Sequence, residues 1–207
     1  HNWSLNIWHG NHKWHDKSDI FEQELQNYCF QKKIIFYKDS ADEIDISTEE
    51  KARKWRYQKL YEKASEICSK NKAHNNLYVV TGHTSTDNTE TFLLNLARGS
   101  SFSGLGGIPI KRLLNESYFL VRPLMIFSRD DTTAICKKLK IPFWVDPTNS
   151  DTKLKRNLIR HKVIRELEKL YPGCSSRINN FIEKMKNYSQ ERSDLCELAI
   201  NSCLCDE

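Results

Sequence analysis

LYVVTGHTSTDNTETFLLNLARGSSFSGLGGI, residues 77–108, is the stretch on which the reading of the fold turns. The apolar run Leu77–Val80 ends at Gly82-His83. Polar residues follow, then Asp87 and Glu90. An apolar helical segment next stops at Arg98-Gly99-Ser100. That order spells strand, ligand loop, helix, loop. In a parallel α/β sheet, nucleotides bind in the crevice beyond the carboxyl ends of the strands. Each residue also has a purely structural account. Asp87 with Glu90 three residues on has the form of a helix start, Asp87 as N-cap and Glu90 reaching back. Gly99 fits a helix C-cap, Arg98 complements the negative end of a helix, and His83 can pack at a strand end.

Working outward, residues 4–9 alternate as a strand, 17–31 place Ile20, Phe21, Leu25, Tyr28 and Cys29 at helical spacing, and 33–37 read as a second strand. Ser47-Thr-Glu-Glu50 starts a long helix reaching about Lys70. Downstream, Tyr118–Val121 is a short strand and Ser128 caps a helix over 129–139. Residues 153–170 form an amphipathic helix, and one more helix fills most of 174–203. The β-α-β-α-β order predicts an α/β fold, a Rossmann-like and mostly parallel sheet with flanking helices, followed by C-terminal helices. The expected division is a nucleotide-binding, catalytic domain over residues 1–170 and a helical extension over 171–207.

The 207 residues suffice for one well-buried domain, and the net charge of +5 permits an anionic partner without proving one. Cations gather at Lys153, Lys155, Arg156, Arg160 and Lys162, with His161 among them; a solvated helix face is the bland account. Seven scattered cysteines without a Cys-x-x-Cys pair argue against a zinc ribbon, an iron–sulfur site or a secreted disulfide scaffold. No apolar run approaches the ~20 residues that cross a bilayer.

The joint spelling of 77–108 closely resembles the tRNA(Ile)-lysidine synthetases, a branch of the PP-loop ATP pyrophosphatases. Further matches follow in family order over roughly residues 4 to 170. They are His9-x-x-His12 after a strand, Glu50-x-Ala52-Arg53-x-x-Arg56-Tyr57 and Arg122-Pro123-Leu124. The last is Asp146-Pro147-Thr148-Asn149-x-Asp151, then Arg156-Asn157-x-x-Arg160. One departure is large: the family's ATP loop, Ser-Gly-Gly-x-Asp-Ser, does not occur in the chain. The expectation is that this loop and the strand before it belong upstream of His1, and that the 207 residues alone do not adenylate tRNA. Where the family often has two aspartates this chain has Thr86-Asp87, and Thr84 stands in place of a second histidine.

The resemblance implies an adenine nucleotide alpha-hydrolase-like fold. It implies ATP-dependent ligation of L-lysine to the wobble cytidine of tRNA(Ile) with a CAU anticodon, with ATP and Mg²⁺ as cofactors. Asp87 and His83 are the expected catalytic pair, Asp87 also the candidate Mg²⁺ or substrate-amine contact. Arg98, Gly99 and Arg122 are the expected nucleotide or phosphate contacts, since a guanidinium matches phosphate oxygens in a bidentate way. Arg53, Arg56, Arg156, Asn157 and Arg160 are the expected tRNA contacts. Trp14, Trp55 and Trp144 could stack an extruded base, with core burial the expectation for most of them. A cytoplasmic or organelle-stromal enzyme, with no membrane partner and compatible with a homodimer, completes the expectation. Two rivals stand beside it: a PP-loop tRNA thiolase, and an RNA-binding remnant without catalysis.

Overall fold

A computed structural model describes residues 3–42, 48–71, 77–115, 118–145 and 154–204. The Asp146–Asp151 motif and Lys153 lie outside them. The chain forms two compact units interleaved in sequence. The first holds His1–Thr81, Lys111–Val121 and Thr133–Thr148; the second holds Gly82–Ile110, Arg122–Thr132 and Asn149–Glu207.

The first unit carries the strands. β1 (Asn6–Asn11) pairs in parallel with β2 (Ile35–Ser40), and α1 (Ser18–Gln31) is the crossover between them. α2 (Glu49–Asn71) leads to β3 (Tyr78–Val80), which pairs in parallel with β5 (Tyr118–Val121). β4 (Lys111–Asn115) pairs antiparallel with β5, giving the order β3-β5-β4. Lys-Arg-Leu-Leu-Asn has neither alternation nor β-branched residues, which explains why this strand was not anticipated. Ala64, Val79 and Leu120 form the core here, with Tyr57, Leu60, Leu77, Leu114 and Tyr118 packed against them. Among the described residues β1 pairs with β2 alone and β3 with β5 alone, so each keeps one free parallel edge.

The second unit is helical. α3 (Ser85–Ala97) and the single turn α4 (Phe102–Leu105) pack on the long α8 (Cys174–Leu204). Phe92 meets Phe181 edge to face, and Ile182 is fully buried. A polar seam runs beside this apolar one. Asn179 Nδ2 donates to the Ser85 carbonyl and Thr89 Oγ1, while Asn88 Nδ2 donates to Asn179 Oδ1. Asn88 Oδ1 in turn accepts from Ile108 N at 2.7 Å. Gly107 permits that approach: it has φ +68°, and a Cβ there would sit 2.3 Å from Asn88 Oδ1.

Three helices complete the picture. α5 (Arg129–Lys138) starts at Ser128, whose N and Oγ both donate to Asp131 Oδ2. The helix expected over 153–170 is not uniform. α6 (Lys155–Leu158) passes into a π-helical segment, Ile159–Ile164, and then α7 (Arg165–Leu170). Hydrophobic spacing signals a helix but not a widened turn inside it, and π-turns recur at functional sites. No described helix is long and apolar enough to cross a membrane.

Candidate active site

The loop from Thr81 to Thr84 delivers the chain from β3 into α3. Thr84 is the N-cap, with extended backbone at φ −117° and ψ 172°. Its N–H and its hydroxyl both donate to Asp87 Oδ2, at 2.8 and 2.9 Å. The helix start is therefore one box earlier than expected. Thr84 caps, and Asp87 in the first turn reaches back, where the negative charge also suits the helix dipole.

That shift releases Glu90 for a different task. It faces inward and is 0% exposed. Arg156 Nε donates to its Oε2 at 2.6 Å, Arg160 Nε to its Oε1 at 2.5 Å and Arg160 Nη2 to its Oε2 at 2.9 Å. Arg156 Nη2 spans on to Asp87 Oδ1 at 3.1 Å, and Arg129 Nη2 stands 3.4 Å from the same oxygen. The two arginines four residues apart lie on one helix face, so one carboxylate holds both. Removing a partner from such a buried set costs about 3–5 kcal/mol, because the opposite charge is stranded.

Among the described residues the cluster sets three guanidinium groups against two carboxylates. Arg160 Nη1 is buried and has no acceptor among the described residues. Burial pushes the Asp87 carboxyl up, but the Thr84 N–H, the Arg156 guanidinium, the Thr84 hydroxyl and Arg129 outweigh it, leaving Asp87 below its ordinary range. The residue is a carboxylate at neutral pH. Among the described residues, Asp87 Oδ2 is taken by Thr84 and Oδ1 faces two guanidinium groups, a set that does not fit a Mg²⁺ ion. Among the described residues no three His, Cys, Asp or Glu side chains gather as a metal cluster.

The other expected site residues are set as follows. His83 is half-buried in the loop before Thr84. Arg98 is the C-cap of α3 and exposed, with Gly99 beyond it at φ +73°. Eleven residues of helix put Arg98 about 16 Å from Asp87, so the two would touch different parts of any shared ligand. Arg122 is 1% exposed and donates from Nη1 to the Pro109 carbonyl at 2.6 Å, while its N–H donates to the Ile110 carbonyl. That contact staples the end of the Gly-rich loop and leaves little of Arg122 for a phosphate. Asn157 is buried at 6% exposure. Arg53 and Arg56, on α2 in the first unit, are exposed.

Arg129 escaped the sequence reading, as did Asn88, Asn179 and the capping role of Thr84. Arg129 did leave a signal. It opens α5, where a cation opposes the helix dipole and needs another partner. Its N–H donates to Thr86 Oγ1 at 3.1 Å, and Ser85 N donates to the Phe127 carbonyl, which ties the starts of α5 and α3 together.

Comparison with known proteins places the chain. The PP-loop domain family matches residues 1–167, and the chain belongs to that family. It is similar to a protein called tRNA(Ile)-lysidine synthase in Prochlorococcus marinus subsp. pastoris, with 54% identity over 203 residues, 98% of this chain and 60% of that protein. It is also similar to a chloroplastic tRNA(Ile)-lysidine synthase of Pyropia yezoensis, with 33% identity over 164 residues, 79% of this chain and 47% of that protein. The chain thus spans about three fifths of the Prochlorococcus protein's length. Among solved structures, the U34-tRNA thiolase NcsA from Methanococcus maripaludis with its [4Fe-4S] cluster superimposes with a TM-score of 0.65. The identity is 16%, over 89% of this chain and 62% of that one, which supports the fold alone.

Proposed function

We propose that this chain forms the larger part of the catalytic domain of an enzyme that ligates L-lysine to the wobble cytidine of tRNA(Ile) bearing a CAU anticodon, at the expense of ATP. The observation that carries this reading is the 54% identity, over 98% of the chain, to a protein called tRNA(Ile)-lysidine synthase. In the reaction, the cytosine C2 oxygen attacks the α-phosphate of ATP and pyrophosphate leaves. The lysine amine then attacks C2, AMP departs with the former carbonyl oxygen, and the amine loses a proton. The compartment is the cytoplasm or an organelle stroma, where precursor tRNA is available.

Within this chain the roles divide by exposure. The side chains of Arg129 and Arg156 are 42% and 27% exposed, and they present N–H groups to an anionic part of a substrate. Glu90 is a positioning residue that fixes where Arg156 and Arg160 point. Asp87, held ionised, locks the start of α3 and orients Arg156 and Arg129. Any ATP loop comes from a segment outside these 207 residues, since Ser-Gly-Gly-x-Asp-Ser is not among them. The edges of β1 and β3 that pair with no strand among the described residues suit the strand that would precede such a loop. The thiolase alternative draws no support from the cysteines. None of the chain's cysteines lies within residues 77–108.

The test is lysine transfer. The chain, extended by a strand and Ser-Gly-Gly-x-Asp-Ser loop, is incubated with a tRNA(Ile) transcript, ATP and isotopically labelled lysine. The wobble nucleoside is then analysed by mass. A labelled lysine adduct on cytidine with AMP and pyrophosphate is the expected result. ATP turnover that leaves the cytidine unmodified would remove the reading.

A further inference from the structure

A chain of rings and cations crosses the surface of the first unit. Trp14 is 42% exposed and stacks on His12, with centroids 5.0 Å apart and planes 24° from parallel. Behind them the His12 ring meets the buried Trp55 edge to face at 5.0 Å. Arg56 reaches His12 Nε2 at 3.0 Å from Nη2 and 3.3 Å from Nε. One helical turn along α2, the Arg53 guanidinium lies 4.9 Å over the Tyr57 ring, and Arg112 lies 4.9 Å over the same ring. The first turns of α2, residues 49–57, set Lys51, Arg53, Lys54 and Arg56 against Glu49 and Glu50, and Lys54 pairs with Glu50 at 2.9 Å.

The loop that carries Trp14 is held in place. Lys13 sits at φ 51°, a conformation costing a non-glycine residue about 1–2 kcal/mol. Asn11 Oδ1 accepts from the Lys13 N–H at 2.9 Å, and Asn11 Nδ2 is fixed by Asp19 and Glu22. Backbone strain over-determined by buried partners is typical of a positioned binding element. Burial, the Arg56 charge and His9 together push His12 down to about 4, so the ring is neutral at physiological pH. With Nε2 accepting from Arg56, the ring proton falls on Nδ1, a buried donor without an acceptor among the described residues.

Interleaved exposed rings and arginines are how proteins grip single strands. Bases stack on the rings, and cations follow the backbone. We infer that Trp14, backed by His12, is a base-stacking platform for single-stranded RNA, with Arg56 and Arg53 meeting the phosphates beside the stacked base. The inference rests on the reading that the substrate is an RNA and names the surface that holds an unpaired stretch of it.

The test uses the 207-residue chain and a fluorescein-labelled ten-nucleotide oligouridylate, which contains no cytidine and needs neither ATP nor lysine. Trp14→Ala should weaken binding about 5- to 150-fold, and Trp14→Phe should stay close to the wild type. Arg56→Ala and Arg53→Ala should each lower the slope of log affinity against log salt by about 0.7. A 5-iodouridine version of the oligomer, irradiated with the unaltered protein, should crosslink to the peptide containing Trp14, which keeps the test valid if Trp14→Ala unfolds. Unchanged affinity in a folded Trp14→Ala, crosslinks confined to other peptides, equal affinity for a ten-base-pair RNA duplex, or no binding at 50 mM salt would each overturn the proposal. Failure here leaves the ligase reading standing, and failed lysine transfer leaves this platform standing.

Discussion

Two arginine pairs meet opposite fates in this chain. Arg53 and Arg56, three residues apart on α2, lie at the surface against Tyr57 and His12. Arg156 and Arg160, four apart, turn inward onto the buried carboxylate of Glu90. Local sequence treats the pairs alike, since each marks one face of a helix. Their partners decide the difference. The Tyr57 ring face leaves the Arg53 N–H groups available to an incoming phosphate and His12 takes only Nε and Nη2 of Arg56, whereas the buried carboxylates of Glu90 and Asp87 take Nε and Nη2 of Arg156, and that of Glu90 takes Nε and Nη2 of Arg160. A basic pair in a motif is therefore an RNA contact or an internal clamp according to what lies across from it, 66 or more residues away for Arg156 and Arg160.

The strongest way to break this contrast is to remove the anchor. Glu90→Ala strands two largely buried guanidinium groups, and urea unfolding should show a loss of about 3–5 kcal/mol. A loss near that of an exposed glutamate would mean that the clamp is not formed. Asp87→Asn should be milder, costing about 2 kcal/mol at neutral pH for its charged hydrogen bonds. Its pH dependence has a fixed sign. Because the folded Asp87 lies below its ordinary value, its contribution is present above the unfolded aspartate range, near 3.9. That contribution is lost as pH falls through the lower folded value. The gap between wild type and Asp87→Asn should thus persist from pH 7 to about 4 and close below that, which unfolding curves at stepped pH will check.

At the far end of α3 the effect shrinks. Gly99→Ala meets open space, so only the positive φ opposes it, and about 1 kcal/mol should be lost in thermal unfolding. Smallest of all, Arg53→Ala should change stability by less than about 0.5 kcal/mol, as exposed substitutions do. A larger loss would make Arg53 structural and erase the contrast between the pairs.

Much of the architecture could be read locally, because it follows from local chemistry. The strand–loop–helix of residues 77–108 and the helices over 18–31, 129–138 and 174–204 follow from hydrophobic spacing and caps. Gly99 as a helix stop follows from its freedom at positive φ. The site was harder. Asp-x-x-Glu imitates a helix start with Asp87 as the cap, yet Thr84-x-x-Asp87 is the box that forms. What separates the two is the burial of Glu90 under arginines from a distant helix, which no local pattern encodes. Arg122 looked like a phosphate ligand because arginine usually stays wet; its burial depends on the Pro109 carbonyl meeting it. Trp14 and Trp55 diverge for the same reason: Trp55 is 9% exposed, whereas the loop lifts Trp14 outward.

The clamp itself is tested most directly by a double-mutant cycle on Glu90→Gln and Arg160→Met, followed by urea unfolding. If Glu90 holds Arg160, the two losses will fall short of additivity by at least about 1.5 kcal/mol, since neither partner alone keeps the pair. Losses that add to within about 0.5 kcal/mol would show two independent side chains and would contradict the account.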